Sequence, residues 1–467
     1  MRAPLKSMLL RWRNKASCLA LTNRRLRQQL KRKDEQLAEL KADQAALEQR
    51  LAPTRVRNHV YPAELIALAV FMMVAGCSLR ATAKTVSFVG KELFGWEVSL
   101  PSPSTIRNWL LRFGLSQLLD GAEKLSGDYV AIADESIQIG KEKLLLILGY
   151  PLALEGHSIA PLAHDQVEVL GMEVQPNWTG DQVAQMLQRC QKRLPNVSIV
   201  RVISDRGSSL LNAWAHLELP HVSDCTHYMM NVVKTIFGQD KTLQAFCRQV
   251  GSLRQRLAMT DYAFILPPKL RSKDRFCRVF VLVDWIKQAL AYGQSGDATL
   301  IEHLGFVRTH RWLRLQLEQV HALLVLTARL LKRSGLSQSV YQAWQQQVAA
   351  YLSNQQMVTR QARQFVELMR RYFIEHAKWY QNGQRIMCCS DVIESTFGRY
   401  KNKGGMNVMS ADVLKIVLYG KPITVKATIQ AMQTTSQKKL EAWESEHVYE
   451  NWYGVIRRLK KELKNAA

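Results

Sequence analysis

Hydrophobic positions change period three times along the chain, and each change marks a different kind of element. Leu26, Leu30, Leu37, Leu40, Leu47 and Leu51 are spaced 4, 7, 3, 7 and 4 apart, an a/d heptad seam interrupted only by Lys33 and Gln44. The seam predicts either a short coiled coil between chains or one amphipathic helix laid on its own protein. Pro53 ends that helix. Three short helical patterns follow within residues 60–113: Pro62 to Cys77, a second from near Ser78 through Lys84 and Val86, and a third from Ser104 to Phe113. The run Pro103-Ser104-Thr105-Ile106-Arg107-Asn108-Trp109-Leu110 reads as a cap and first turn that offers Arg107 and Asn108 to base edges and phosphates. A helix-turn-helix is expected, although small trihelical bundles that bind nothing share the pattern.

From Tyr129 the pattern becomes one of strands. Tyr129 to Ala133 is a buried strand ending in Asp134; Lys143 to Tyr150 and Val167 to Val174 are two more. Residues 181–193 are helical, Val197 to Ser204 is a strand delivering Asp205, Ser208 to Leu217 is helical, and His221 to Ser223 is a short strand. Three strands, helix, strand, helix, strand is the order of an α/β RNase H-like core, a mixed sheet flanked by helices. In such a sheet a right-handed crossover returns the chain to the free edge of the first strand, which brings Asp134 beside Asp205. Residues 228–385 lose the strand signal and predict an all-α insertion, with Trp285, Trp312, Trp344 and Trp379 spread through it. A last helix beginning near Ser390 carries Glu394, and the tail ends in a basic helix containing Arg457, Arg458, Lys460, Lys461 and Lys464. The expected organisation is a basic helix and coiled coil over 1–52, a helix-turn-helix unit over 53–125, and the first part of the core over 126–227. The insertion occupies 228–385, the final catalytic helix 386–420, and a basic helical tail 421–467.

Composition narrows the partner. At 467 residues, with 47% apolar and 22% charged, the chain is globular. Its 64 Lys and Arg against 39 Asp and Glu leave a formal charge of +25, which favours a polyanion, nucleic acid above all, and salt-dependent binding. Residues 1–33 hold eleven of these bases and no acid. The eight cysteines lack a CxxC pair, so neither a zinc ribbon nor a disulfide framework is suggested, and a reducing cytosol is expected. The apolar run Leu65 to Cys77 is shorter than the roughly 20 residues needed to cross a bilayer, so no membrane partner is expected.

The candidate chemistry lies in Asp134, Asp205 and Glu394. Carboxylates held together ionised call for a hard cation with oxygen ligands, Mg²⁺ or Mn²⁺, and three of them suit two ions about 4 Å apart. Two such ions serve in-line phosphodiester displacement by water or by a 3′-hydroxyl. Three ambiguities stand at this point. Asp205-Arg206-Gly207 is also an ordinary turn; Glu135 competes with Asp134, because adjacent strand residues face opposite ways; and Asp391 shares a helix face with Glu394.

These residues resemble a DDE transposase. The likeness spans Tyr129 to Lys401 as an order of elements and is sharpest in Ile132-Ala133-Asp134-Glu135-Ser136, in Val202-Ile203-Ser204-Asp205-Arg206-Gly207, and in Ser390-Asp391-Val392-Ile393-Glu394-Ser395-Thr396-Phe397-Gly398-Arg399-Tyr400-Lys401. Lys401 holds the place, seven residues past the Glu, where many such enzymes carry a DNA-contacting base. The long interval between Asp205 and Glu394 departs from the short-spaced integrase pattern and is similar to that of transposases with an all-α insertion, such as the hAT type. Asp224-Cys225-Thr226-His227 matches their (C/D)xxH motif. The resemblance implies that His227 shapes the active site or holds the scissile phosphate; a hydrogen-bonded core histidine is the plain alternative. Arg206 and Arg399, beside catalytic segments, become candidates for phosphate contacts, with exposed ion pairing as their alternative. Trp285 and Trp312 are candidates to stack on a flipped base, against the commoner fate of helix-core Trp. The implied protein is a bacterial insertion-sequence transposase in the nucleoid-bearing cytoplasm, acting on double-stranded DNA at terminal repeats and target, as a homodimer or larger assembly. A domesticated, inactive DNA-binding protein and an RNase H-like nuclease without joining activity are the alternatives.

Overall fold

In the computed structural model, which describes residues 3–135, 142–156, 161–270, 279–294, 297–380, 383–401, 409–450, 454–456, 459 and 463, the leucine seam lies on a single 49-residue helix, α1 (Ala3–Leu51). Its described side chains are all exposed, Leu26, Leu30, Leu37, Leu40 and Leu47 among them. Over its described side chains the helix is therefore not packed on the rest of the chain.

Helices α2 (Ala63–Ala75), α3 (Leu79–Phe88) and α4 (Pro103–Ala122) realise the three predicted helical patterns. Ser78 and Ser102 cap α3 and α4 by accepting from the Ala81 and Thr105 amides. A π-helical turn, Val89–Leu93, extends α3, and α4 runs well past the expected end at Phe113.

Strands β1 (Gly127–Glu135), β2 (Lys143–Pro151) and β3 (Glu168–Gln175) form an antiparallel meander. Helix α5 (Gly180–Arg193) then crosses over to β4 (Val197–Ser204), and α6 (Ser208–His216) to β5 (His221–Ser223). The order β3-β2-β1-β4-β5 gives a five-stranded mixed sheet, with β4 parallel to both β1 and β5. Strand alternation divides its side chains between two cores. Tyr129, Ala131, Ala133, Leu145 and Ile147 pack with Met186 and Leu187 of α5 and Trp214 of α6. Val130, Ile132, Leu144, Leu146 and Ile203 face the larger core on the opposite side.

That larger core is built mainly by helices. Described residues between β5 and the last catalytic segment form α7 (Cys225–Phe237), α8 (Lys241–Leu257), α9 (Val279–Tyr292), α10 (Ala298–Thr309), α11 (Arg311–Ser334), α12 (Gln338–Ser353) and α13 (Arg360–His376). Helix α13 covers the edge strand: the Ser223 amide donates to His376 Nε2 at 3.0 Å and Tyr372 Oη donates to the Ser223 carbonyl at 2.8 Å. Otherwise-orphaned backbone groups of a sheet edge are thus satisfied.

Helix α14 (Asp391–Lys401) is followed by a buried 3₁₀ run, Ala411–Leu418, and by α15 (Val425–Thr434) and α16 (Gln437–His447). Helices α15 and α16 lie in the range expected as a basic helical tail. Arg112 on α4 donates from Nε to the Thr435 carbonyl and from Nη2 to the Met432 carbonyl, both at 2.6 Å, joining the chain's end to its N-terminal helices. Arg457, Arg458, Lys460, Lys461 and Lys464 lie outside the described residues, as do Ser136 and Cys277.

Close packing at one glycine explains how α4 meets this segment. A Cβ at Gly114 would stand 2.6 Å from the Leu414 carbonyl oxygen, which belongs to the 3₁₀ backbone and cannot rotate away. Gly114→Ala is expected to cost about 1–3 kcal/mol through overpacking, despite the better helix propensity of Ala. Chemical-denaturation midpoints of the two proteins check this. Among the described residues no helix is long and apolar enough to cross a membrane.

Candidate active site

Asp134 and Asp205 arrive together because β1 and β4 run parallel in register. Ala133 pairs with Ser204, so the next residue on each strand is one of the two acids, at adjacent C-terminal strand ends. Alternation decides between Asp134 and Glu135. Asp134 follows Val130 and Ile132 onto the face of the larger core, whereas Glu135 turns to the other side, accepting from Ser209 Oγ and lying 3.6 Å from Lys143 Nζ. Asp205 also closes the turn its sequence suggested, since its Oδ1 accepts from the Gly207 amide at 2.9 Å. The turn and the clustering of acids coexist.

Glu394 reaches the site from the first turn of α14, where an acid is favoured by the helix dipole. Its Oε1 lies 3.6 Å from His227 Nδ1. Asp391, the other acid of that turn, is committed elsewhere: Lys332 Nζ at the end of α11 sits 2.6 and 2.9 Å from its two oxygens. Lys332 had no signal in the sequence, because only the fold brings α11 against the start of α14.

His227 is held by Asp224. That carboxylate is fully buried and accepts four hydrogen bonds. Oδ1 takes the His227 amide at 2.7 Å and His227 Nδ1 at 3.2 Å; Oδ2 takes the Ser390 amide at 2.7 Å and Ser390 Oγ at 2.9 Å. Asp224 thereby caps α7 and ties it to the residue preceding α14. A second brace is Glu155, whose Oε1 accepts from Tyr150 Oη at 2.7 Å and the Met387 amide at 3.1 Å while Oε2 takes Arg201. A third is the Cys225 amide, donating to the Cys388 carbonyl at 2.8 Å. The segment before α14 is thus pinned to the sheet and to α7 at several points.

Electrostatics record the convergence. Burial pushes the Asp134 carboxyl up to about 7, with the charges of Asp205 and Glu394 acting the same way and His227 opposing. Burial likewise raises Glu394, against the pull of His227. The hydrogen bond to Asp224 raises His227 to about 9; burial opposes this, and Glu394 and Asp134 reinforce it. Burial would raise Asp224, but the hydrogen bonds and charge of His227 outweigh it and hold the carboxyl below its usual range. The His227 imidazolium thus offsets part of the negative charge of the crowded acids.

Ligand geometry is more open than one tight cage. Among the described residues, the His, Cys, Asp and Glu groups with ligand atoms all within 4.8 Å of one another are Asp224, His227 and Glu394, and Asp224, Cys225 and Cys389. Both include Asp224, whose oxygens already accept four donors, so neither is a free ligand set. Asp134, Asp205 and Glu394 do not form such a close triplet; the charges of Asp205, Glu394 and His227 act on Asp134, and the carboxylate oxygens are of the kind that suits Mg²⁺ or Mn²⁺.

The expected DNA-contacting bases fall into two groups. Lys401, at the end of α14, is half-buried with its charge in reach of Asp134, and burial lowers its pKa. Arg399 lies over the Tyr419 ring, 4.3 Å from the centroid, and Arg206 is paired with Glu375 on α13 at 3.0 Å. Arg107 and Asn108 turn toward the protein itself. Arg107 Nε donates to Asp412 Oδ1 at 2.9 Å, and the Asn108 side-chain carbonyl is buried without a hydrogen-bond partner among the described residues. Exposed bases on the neighbouring helices are instead Arg80, Lys84 and Lys91. Trp285 is a core residue donating to the Ile265 carbonyl at 3.0 Å, while Trp312 is 52% exposed.

No protein-family model matches the chain, and no curated protein matches it.

Proposed function

We propose that this chain is a DNA transposase of the DDE type, with an RNase H-like catalytic core interrupted by an all-α insertion. The observation that supports the reading is that Asp134 and Asp205 end adjacent parallel strands, with the charges of Glu394, His227 and Lys401, from remote stretches, in reach of Asp134. The mixed five-stranded sheet is compatible with that core, and the charge of +25 fits a phosphodiester substrate.

Asp134, Asp205 and Glu394 would hold Mg²⁺ or Mn²⁺, as two ions. When bound, these supply Lewis-acid stabilisation of the leaving oxygen and lower the pKa of the attacking hydroxyl. The chain's own residues do the rest. Lys401 and protonated His227 place positive charge where a scissile phosphate carries negative charge. Asp224 sets the imidazole's orientation and keeps it charged, and Glu155 and Lys332 hold the α14 segment in place. Arg206 and Arg399 lie on the rim, where releasing an ion pair or a ring contact frees a base for the backbone. The substrate class is double-stranded DNA, terminal repeats first and target second, acted on in a bacterial cytoplasm. Recognition by the N-terminal helices would use Arg107, released from Asp412, and Asn108 together with the exposed Arg80 and Lys84 of α3.

The test is incubation of the purified chain with end-containing duplexes from its own element, with Mg²⁺, with Mn²⁺ and with chelator. Metal-dependent nicking at the end followed by joined products is expected. Nicking without joining would leave a nuclease, and binding without nicking an inactive DNA-binding protein; either result overturns the transposase reading.

A further inference from the structure

The exposed seam of α1 runs further than its leucine core. Continuing the heptad frame of Leu26 and Leu30 toward the N-terminus places Asn23, Leu19, Ala16 and Trp12 at successive seam positions. Trp12, Leu19, Leu26, Leu30, Leu37, Leu40 and Leu47 are between 49% and 65% exposed. Seven large apolar side chains along about 50 Å of one face make an unstable surface for an isolated helix in water. A second identical helix carries the matching repeat.

Orientation follows from the polar positions. If two copies ran parallel, Lys33 would face Lys33 of the second copy across one layer of the seam, and the segments 1–33, with eleven bases and no acid, would lie side by side. Both arrangements place like charges together. In an antiparallel pair an a position faces a d position, so Asn23 meets Lys33, Leu26 meets Leu30, Leu19 meets Leu37, Ala16 meets Leu40 and Trp12 meets Gln44. The Asn23 carbonyl can then accept from the Lys33 ammonium, and the smallest seam residue faces a leucine. On the flank, Lys15 comes opposite Asp43. Residues 5–22, with Lys6, Arg11, Arg13 and Lys15, also lie along residues 34–51, whose Asp34, Glu35, Glu39, Asp43 and Glu48 outnumber Lys41 and Arg50. Residues 23–33 of the two copies, with Arg24, Arg25, Arg27, Lys31, Arg32 and Lys33, lie against each other in either orientation, at exposed positions where salt screens the repulsion.

We propose that α1 is an antiparallel two-stranded coiled coil with a second copy of this chain, registered by the Asn23–Lys33 layers. The two folded bodies then leave the stem at opposite ends, about 70 Å apart at 1.5 Å per residue. This pairing does not depend on the chemistry proposed above, and its test reads mass and crosslinks, never activity.

The experiment uses the full chain with Cys18→Ser, so that the exposed native thiol is absent from the helix. Light scattering is expected to give a dimer. Under mild oxidation, Asn23→Cys/Lys33→Cys should form a covalent dimer that reducing agent reverses, whereas Lys33→Cys alone should remain uncrosslinked. Leu30→Asp/Leu37→Asp should weaken dimerisation at least tenfold with an unchanged circular-dichroism melting curve for the rest of the protein. Self-crosslinking of Lys33→Cys overturns the orientation. A monomer, or a dimer unaffected by the Asp pair and uncrosslinked in the double-cysteine protein, overturns the interface.

Discussion

Replacing Asp134, Asp205 or Glu394 with Ala is expected to reduce metal-dependent strand cleavage by on the order of a thousandfold, the scale at which loss of a single transition-state-stabilising group is felt. DNA binding should survive in each variant, because affinity comes mainly from bases spread over the surface and not from these acids. Binding is read by a gel shift at fixed salt and cleavage by product formation from a labelled duplex. Glu135→Ala is the internal control. It shares the strand end with Asp134 but belongs to the opposite face, where it engages Ser209 and Lys143. If Glu135→Ala abolishes cleavage while Asp134→Ala spares it, the site has been assigned to the wrong side of the sheet. Asp391→Ala offers a second contrast: it frees Lys332 and should loosen α14 without removing a metal-facing oxygen.

Asp224→Ala should produce the largest loss of stability, about 3–5 kcal/mol, because it leaves buried donors on Ser390 and the imidazolium of His227 without their shared acceptor. Asp224→Asn should lose less, since its carbonyl oxygen can still accept some of those bonds. The signs of the pH dependence are opposite for the two partners. Asp224 titrates lower in the folded chain than unfolded, so its contribution is present above its unfolded value near 3.8 and disappears as pH falls through the depressed folded value. His227 is raised to about 9, so its contribution is complete below 6.5 and fades as pH climbs through 9. The pair therefore stabilises most between roughly pH 4 and 6.5. Comparing denaturation midpoints of the parent and Asp224→Asn at pH 5 and pH 9 should show the gap narrowing at the higher pH. An unchanged gap would mean that His227 is not charged by Asp224.

Much of this architecture could be read before any coordinates. The strand patterns at Lys143 to Tyr150 and Val197 to Ser204 match β2 and β4 within a residue, and β1 does lie beside β4. Such elements are legible because strand period and flanking turns are local properties of the chain. Alternation also oriented Asp134 against Glu135 in principle, but only the packing of each sheet face revealed which side held Glu394. The inward engagement of Arg107 with Asp412 was invisible for the same reason: its partner comes from the far end of the polypeptide.

By itself, then, the order of residues determined where strands and helices begin, which acids end strands, and that α1 carries a heptad seam, since each depends on neighbours a few positions away. Tertiary structure alone decided that Asp391 pairs with Lys332 while Glu394 lies beside His227, that Asp224 is consumed in bracing His227 and Ser390, and that α15 and α16 close onto α4. Those outcomes turn on which buried charge finds which partner across the fold, and a buried carboxylate is stable only where the whole chain delivers its donors.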